Sequence, residues 1–233
     1  MKKIIYSLFI CAAFVFAGCD DDTQDRSIIT YFIDLQLKGE TMMFWPQGTA
    51  FEEPGYVAIS GGEDVSSEVI VTGTVNANVP GMYTITYTAV NEDGFAKELK
   101  RNVGVYNTTP SDMESGYYTV SRESYRDYNG IVSYGNDYQI FIIQTEPGIF
   151  YVSDFLGGWY EQRAGYGPAY AMVGHFKLNA DNTIEAIDSY VAGWNDSMES
   201  LTNGVYNPAG KEIRYVLTYT ANPLIFHVNM KKS

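Results

Sequence analysis

Cysteine and histidine are nearly absent from this chain of 233 residues, with two of each. Cys11 lies within an apolar N-terminal run, which leaves Cys19 as the one cysteine beyond it. That excludes a disulfide framework, a thiol nucleophile working with a base, and a Cys-based metal site. His175 and His227 each sit inside strand-like runs, at 172–178 and 224–230, where a side chain packs more often than it moves protons. Basic residues are also scarce: 15 Lys and Arg stand against 28 Asp and Glu, a net charge of −13. Such a chain repels phosphate backbones and anionic membrane faces, so nucleic acid is excluded as a partner. G-x-S-x-G, H-E-x-x-H and a Gly-rich phosphate loop are all missing. The acids around Asp181 lack the spacing of an EF-hand, and no metal or cofactor is expected.

What is present begins with MKKIIYSLFICAAFVFAGCDDD. Lys2 and Lys3 make a basic start. Residues 4–17 are apolar but too few to span a bilayer as a helix. Phe16-Ala17-Gly18-Cys19 then reads as a lipobox, the site where a bacterial peptidase cuts before a lipidated cysteine. Residues 1–18 are therefore expected to be a lipoprotein signal peptide, with Cys19 acylated in the mature chain. Loss of Lys2 and Lys3 takes the net charge to −15. Residues 19–27 are polar, acidic and aperiodic, as in a flexible tether.

The rest is rich in Tyr (20), Gly (22), Thr, Val and Ile, the composition of an antiparallel β protein with many turns. Gly81–Ala89 alternates strictly, with Tyr83, Ile85, Tyr87 and Ala89 on one face and Thr84, Thr86 and Thr88 on the other. That period marks a half-buried strand. Further runs at 30–37, 41–45, 56–59, 69–75 and 96–106 predict a β-sandwich over residues 28–107. Residues 108–115, TTPSDMES, read as a polar linker. Beyond it, runs at 117–122, 138–146, 149–152, 171–178, 184–190, 204–206, 213–220 and 224–230 predict a closed or nearly closed antiparallel β-barrel over residues 116–233.

Two stretches carry a resemblance. Gly55, Tyr56, Gly73, Val75, Gly81, Tyr83, Tyr87, Gly94, Arg101, Val103 and Val105 fill the positions that mark the bacterial immunoglobulin-like (Ig-like) domain of surface proteins. YVSDFLGGWY, Tyr151 to Tyr160, extends the likeness to the whole chain. The chain resembles two-domain surface lipoproteins of gut Bacteroidetes, of the domain-of-unknown-function kind, in which an Ig-like domain precedes a small calycin-like β-barrel. Their genes often sit beside Sus-type glycan importers. The resemblance implies an all-β fold, an outer-membrane location and a glycan-import setting, and no defined activity. Asp20-Asp21-Asp22 beside the anchor resembles the surface-export signal of such lipoproteins. The periplasmic face of the outer membrane is the alternative.

Fourteen of the 20 tyrosines fall in residues 111–233, with Trp159 and Trp194. Both Trp residues lie in apparent loops beside Gly, Asn and Asp. An exposed ring stacks on the apolar face of a pyranose while polar neighbours take its hydroxyls. The binding candidates are Asp154, Trp159, Tyr160, Arg163, Tyr166, Tyr170, Trp194, Asn195 and Asp196. The competing reading is that these rings plug the barrel or cover its end. Asp154, Asp188, Asp196 and Glu199 are the first acids to inspect for a glycosidase pair, though no glycosidase pattern is present. The expectation is a non-catalytic surface lipoprotein that binds or captures a polysaccharide or oligosaccharide. One alternative is an interaction subunit of an outer-membrane glycan transporter with no ligand of its own. The other is a barrel holding a small apolar ligand.

Overall fold

The computed structural model of the protein describes residues 29–219 and 224–233. The lipobox, Cys19 and the acidic tether lie outside the described residues. Among the described residues no helix is long and apolar enough to cross a membrane.

Seven strands come first: β1 (Asp34–Leu37), β2 (Met42–Pro46), β3 (Tyr56–Ser60), β4 (Glu63–Asp64), β5 (Ile70–Thr72), β6 (Gly81–Val90) and β7 (Ala96–Tyr106). They form a sheet of order β1-β3-β4 and a second of order β2-β7-β6-β5. β2 runs parallel to β7, and the other pairs are antiparallel. The two sheets share a core of Leu35, Ala58, Ile85, Tyr87 and Ala89. The alternation of β6 is realised, since Ile85, Tyr87 and Ala89 are buried while Thr84 is exposed. Arg101 on β7 is wholly buried. It pairs with Glu53 at 3.0 Å and donates to the carbonyls of Lys38 (2.7 Å), Gly55 (3.2 Å) and Glu40. A buried guanidinium is tolerated because carbonyls take its terminal N–H groups and a carboxylate lies beside it. Burial and the nearby Glu53 push the Tyr87 hydroxyl up to about 12.

Ten strands follow: β8 (Gly116–Val120), β9 (Tyr125–Asp127), β10 (Ile131–Ser133), β11 (Tyr138–Glu146), β12 (Ile149–Val152), β13 (Met172–Leu178), β14 (Ile184–Val191), β15 (Met198–Asn207), β16 (Glu212–Tyr219) and β17 (Leu224–Lys232). Eight of them curl into one antiparallel sheet of order β15-β16-β17-β8-β11-β12-β13-β14, and the β9–β10 hairpin is added along β17. Among the described residues, backbone pairing between the two ends of this sheet is limited to isolated bridges, Thr183 with Val205 and Val191 with Asp196. The barrel therefore has a seam between β14 and β15. Sequence reading placed only residues 204–206 of β15 in a strand. Its first half, Met198–Asn203, borders the seam and lacks the alternation of a strand with one buried face. The β9–β10 hairpin was not expected either.

The interior is filled. Tyr118, Ile140, Phe150, Met172, Phe176, Tyr215 and Phe226 point inward from the strands and are buried. Phe155, Leu156 and Trp159 enter from the loop after β12 and join the same core. This contradicts the expectation of an open, greasy interior for a small apolar ligand, because the YVSDFLGGWY loop occupies that space with the chain's own rings.

Residues 107–115 form a connector packed against the barrel. The Asn107 N–H donates to the Gln144 carbonyl at 2.7 Å, and Gln144 Nε2 donates to the Thr109 carbonyl at 3.1 Å. The Tyr206 hydroxyl donates to the Asp112 carbonyl at 2.7 Å. Met113 is 1% exposed and belongs to the barrel core. Beside the connector, Phe44 of β2 packs edge-on against Tyr117 of β8 (5.1 Å between ring centroids) and Phe141 of β11 (6.0 Å).

Candidate functional site

The far end of the barrel, away from the connector, gathers three segments. The first is the loop between β12 and β13. Its acidic residue, Asp154, is wholly buried and works as a brace. Oδ1 accepts the N–H groups of Leu156 (2.8 Å) and Met172 (2.9 Å), and Oδ2 accepts that of Gly158 (2.8 Å). Burial pushes its carboxyl up to about 7, against three N–H donors that favour the charged form. The Tyr134 and Tyr215 hydroxyls donate to the carbonyls of Leu156 and Phe155, both at 2.6 Å, and hold the loop from the other side. Gly157 lies at φ +59, where a Cβ would stand 3.0 Å from Val120 Cγ1 and 3.3 Å from Val228 Cγ1. Only glycine turns there without strain and without displacing the core.

Trp159–Arg163 then forms a single π-helical turn, closed by bonds from Arg163 N–H to the Gly158 carbonyl (2.8 Å) and from Ala164 N–H to the Trp159 carbonyl (3.0 Å). Such turns are wider than α-helical ones and recur at functional sites. Here the turn buries Trp159, leaves Tyr160 half-buried and leads to exposed Tyr166 and half-buried Tyr170.

The second segment is the turn between β14 and β15. Trp194 sits at its tip and is 38% exposed. The Gly193 N–H donates to the Ala169 carbonyl at 2.6 Å, which ties this turn to the first segment. A Cβ on Gly193 would stand 2.6 Å from the Tyr170 ring, so glycine is what lets that ring lie against the turn. Asn195 Oδ1 accepts the Tyr190 hydroxyl at 2.9 Å. The third segment is the end of β16, where the Tyr219 hydroxyl donates to Asp196 Oδ1 at 2.6 Å. Burial and that carboxylate raise the Tyr219 hydroxyl far above its ordinary range.

The rings make one continuous cluster. Trp194 contacts Tyr160 (4.7 Å), Tyr170 (4.8 Å), Tyr166 (6.2 Å) and Tyr219 (6.2 Å), and Tyr160 stacks on Tyr166 at 6.0 Å. Of the residues singled out from sequence, Tyr160, Tyr166, Tyr170, Trp194, Asn195 and Asp196 converge here. Asp154 and Trp159 do not reach the surface: the first braces the loop, and the second is 3% exposed against Tyr134 (5.0 Å) and Phe226 (5.8 Å). Arg163 lies over the Trp159 ring at 4.1 Å and donates from Nε to the Tyr134 carbonyl at 3.1 Å. Tyr219, Tyr190 and Arg126 were missed. Arg126 sits on the unpredicted β9 strand, with its guanidinium 4.8 Å from the Trp159 ring. The missed signal was Asn129-Gly130, a strong hairpin dipeptide, whose residues take φ +52 and +123.

The two histidines have partners of their own. His175 pairs with Asp188 at 3.0 Å, and His227 stacks on Tyr125 at 4.2 Å. Among the described residues no group of three or more His, Cys, Asp or Glu could hold a metal ion.

Two family profiles match: a bacterial surface protein Ig-like domain over residues 35–105, and a second domain, described as C-terminal, over residues 107–232. The crystal structure of the lipoprotein BT2262 from Bacteroides thetaiotaomicron is 48% identical and superposes at a TM-score of 0.81, covering 86% of this chain and 100% of that one. The chain belongs to the family of that lipoprotein. Neither matched profile describes a catalytic domain. A Clostridium perfringens ZmpB structure, containing its M60 catalytic domain and two CBM51 domains, aligns at a TM-score of only 0.29 and 14% identity. It covers 87% of this chain and 21% of its own length. No curated protein matches.

Proposed function

We propose that this protein is a non-catalytic surface lipoprotein that captures a glycan at the aromatic end of its barrel. The supporting observation is the ring cluster of Tyr160, Tyr166, Tyr170 and Trp194, with Tyr166 55% and Trp194 38% exposed and with Asn195 and Asp196 at its edge. Large rings in contact with each other but open to solvent are what a pyranose face stacks on, and neighbouring amides and carboxylates take hydroxyls. The kinship with a Bacteroides lipoprotein supports an anchor at Cys19 and the outer membrane as its place. The tether and the Ig-like domain would then hold the barrel away from the membrane, within reach of a glycan transporter.

The test is a polysaccharide panel run by affinity electrophoresis on residues 19–233 carrying Cys19→Ala. Each aromatic contact is worth roughly 1–2 kcal/mol, so Trp194→Ala and Tyr166→Ala should each weaken binding about 5- to 30-fold. Failure to bind any polysaccharide would refute the proposal.

A further inference from the structure

The described residues hold five arginines: Arg101, Arg122, Arg126, Arg163 and Arg214. Three of them pair with a carboxylate: Arg101 with Glu53 at 3.0 Å, Arg122 with Asp137 at 2.8 Å and Arg214 with Glu212 at 3.1 Å. Arg126 and Arg163 pair with none among the described residues. In a chain with 28 acids and 15 bases, an arginine without a carboxylate is out of keeping with its surroundings. Both of these lie against the same ring, Trp159, at 4.8 and 4.1 Å.

Their positions place them at the aromatic cluster. Arg163 is exposed at the end of the π-helical turn that carries Tyr160. Arg126 is half-buried, 5.8 Å from the ring of exposed Tyr128, and its Nε is buried with no hydrogen-bond partner. Its guanidinium lies beside the Tyr160 hydroxyl, which burial raises above its ordinary value and Arg126 draws part of the way back. Tyr160 in turn meets Trp194 edge-on. Two guanidiniums are thus held by cation–π contacts and left without anions at the border of a stacking platform. Asp196, at the cluster's other border, already accepts the Tyr219 hydroxyl.

A guanidinium presents up to five N–H donors in a planar fork that matches a carboxylate or sulfate. One that is left unpaired and partly desolvated binds an anion more strongly than a solvated lysine would, because less water must be displaced. The geometry points to an anionic glycan, bearing uronate carboxylates or sulfate esters, as the ligand class of this site: the rings stack its sugar faces, and Arg126 and Arg163 take its charged groups. This rests on the reading of the cluster as a glycan site. A strongly acidic protein would otherwise repel such a polymer, so the two arginines carry the selectivity locally.

The experiment runs residues 19–233 with Cys19→Ala through native gels containing polygalacturonate, chondroitin sulfate, laminarin or pullulan, at low and at raised salt. Variants are Arg126→Gln, Arg163→Gln, the double variant, Arg126→Lys and Trp194→Ala, each checked by thermal melt. The expected result is retardation by at least one of the two acidic polymers, weakened by salt, with neither neutral polymer acting. The double Gln variant should lose about tenfold or more in affinity while still melting in one cooperative transition. If Arg126→Gln is unstable, Arg126→Lys and Arg163→Gln carry the comparison, with Lys expected to keep part of the binding. Acidic-polymer binding that persists in the double variant overturns the inference. So does Trp194-dependent binding of laminarin or pullulan that ignores the arginines, which would leave the glycan reading standing. Retardation by none of the four overturns both.

Discussion

Gly157 offers a direct test of whether the loop after β12 is seated inside the barrel. Replacing it with alanine does two things. It places a Cβ-bearing residue at φ +59, which costs about 1–2 kcal/mol for an L-residue. It also drives that Cβ to 3.0 Å from Val120 Cγ1, 3.3 Å from Val228 Cγ1 and 3.4 Å from Tyr134 Cε1, all within the core. Overpacking of this kind costs about 1–3 kcal/mol, so Gly157→Ala should destabilise the barrel by roughly 2–5 kcal/mol. Gly165 is the control. It too has positive φ, at +72, but a Cβ there would have no neighbour within 4 Å, so Gly165→Ala should cost only the backbone portion, about 1–2 kcal/mol. Urea unfolding followed by tryptophan emission reads the difference, because Trp159 is buried in the native barrel. With slopes of about 1–3 kcal/mol/M, the midpoint of Gly157→Ala should fall below that of Gly165→Ala by roughly 0.5–2 M. Equal midpoints for the two variants would mean that residue 157 does not meet Val120 and Val228, and the filled-barrel description would be wrong.

Asp154 should give the protein a stability slope in mild acid. Its folded carboxyl, at about 7, holds a proton that the unfolded chain releases near 3.8, so its contribution to stability should decline as pH rises from about 4 to about 7 and stay flat above. Asp154→Asn should remove that slope from thermal melts across this range, and an unaltered slope would refute the assignment. The two tryptophans of the barrel should behave differently. Trp159→Ala should cost about 3–5 kcal/mol of stability as a core truncation, whereas Trp194→Ala, at a more exposed ring, should cost about 1–2 kcal/mol while weakening binding. Similar melting temperatures for the two variants would contradict the burial difference between them.

Much of this architecture was legible from period and punctuation. The alternation of Gly81–Ala89 and the turn residues around it identify a strand with one buried face, because the pleat forces that period on any such strand. Tyr160, Tyr166, Tyr170, Trp194, Asn195 and Asp196 group in the sequence as rings and short polar residues in apparent loops, a pattern that fits a plugged or covered barrel end as well as an open one. Asp154 and Trp159 share a motif with Tyr160, and nothing local separates them. Trp159 is buried against Phe226, and Gly157 of the same loop lies against Val120 and Val228, residues of β8 and β17 that are distant in sequence. Arg126 stayed hidden for a different reason. The runs of β9 and β10 are three residues each, too short for a period, and only Asn129-Gly130 marked the turn. Residues 108–115 read as a linker because they are polar. Their packing comes from backbone carbonyls that Gln144 and Tyr206 seek out, and side-chain polarity does not reveal that.

The pairing of β7 has a mechanical consequence. Tension applied across the Ig-like domain would enter β7 from the connector, at the strand's C-terminal end. That strand is bonded antiparallel to β6 along most of its length and parallel to β2 over its C-terminal half, Asn102–Tyr106. A load along its axis puts the β6–β7 and β2–β7 bonds in shear, so many must fail together instead of opening one by one as in a peeled hairpin. The buried guanidinium of Arg101 sits midway along the same strand and rivets it to Lys38, Gly55 and Glu53 of the opposing layer. The Ig-like domain is thus built as a tension member, a strap able to carry load into the barrel.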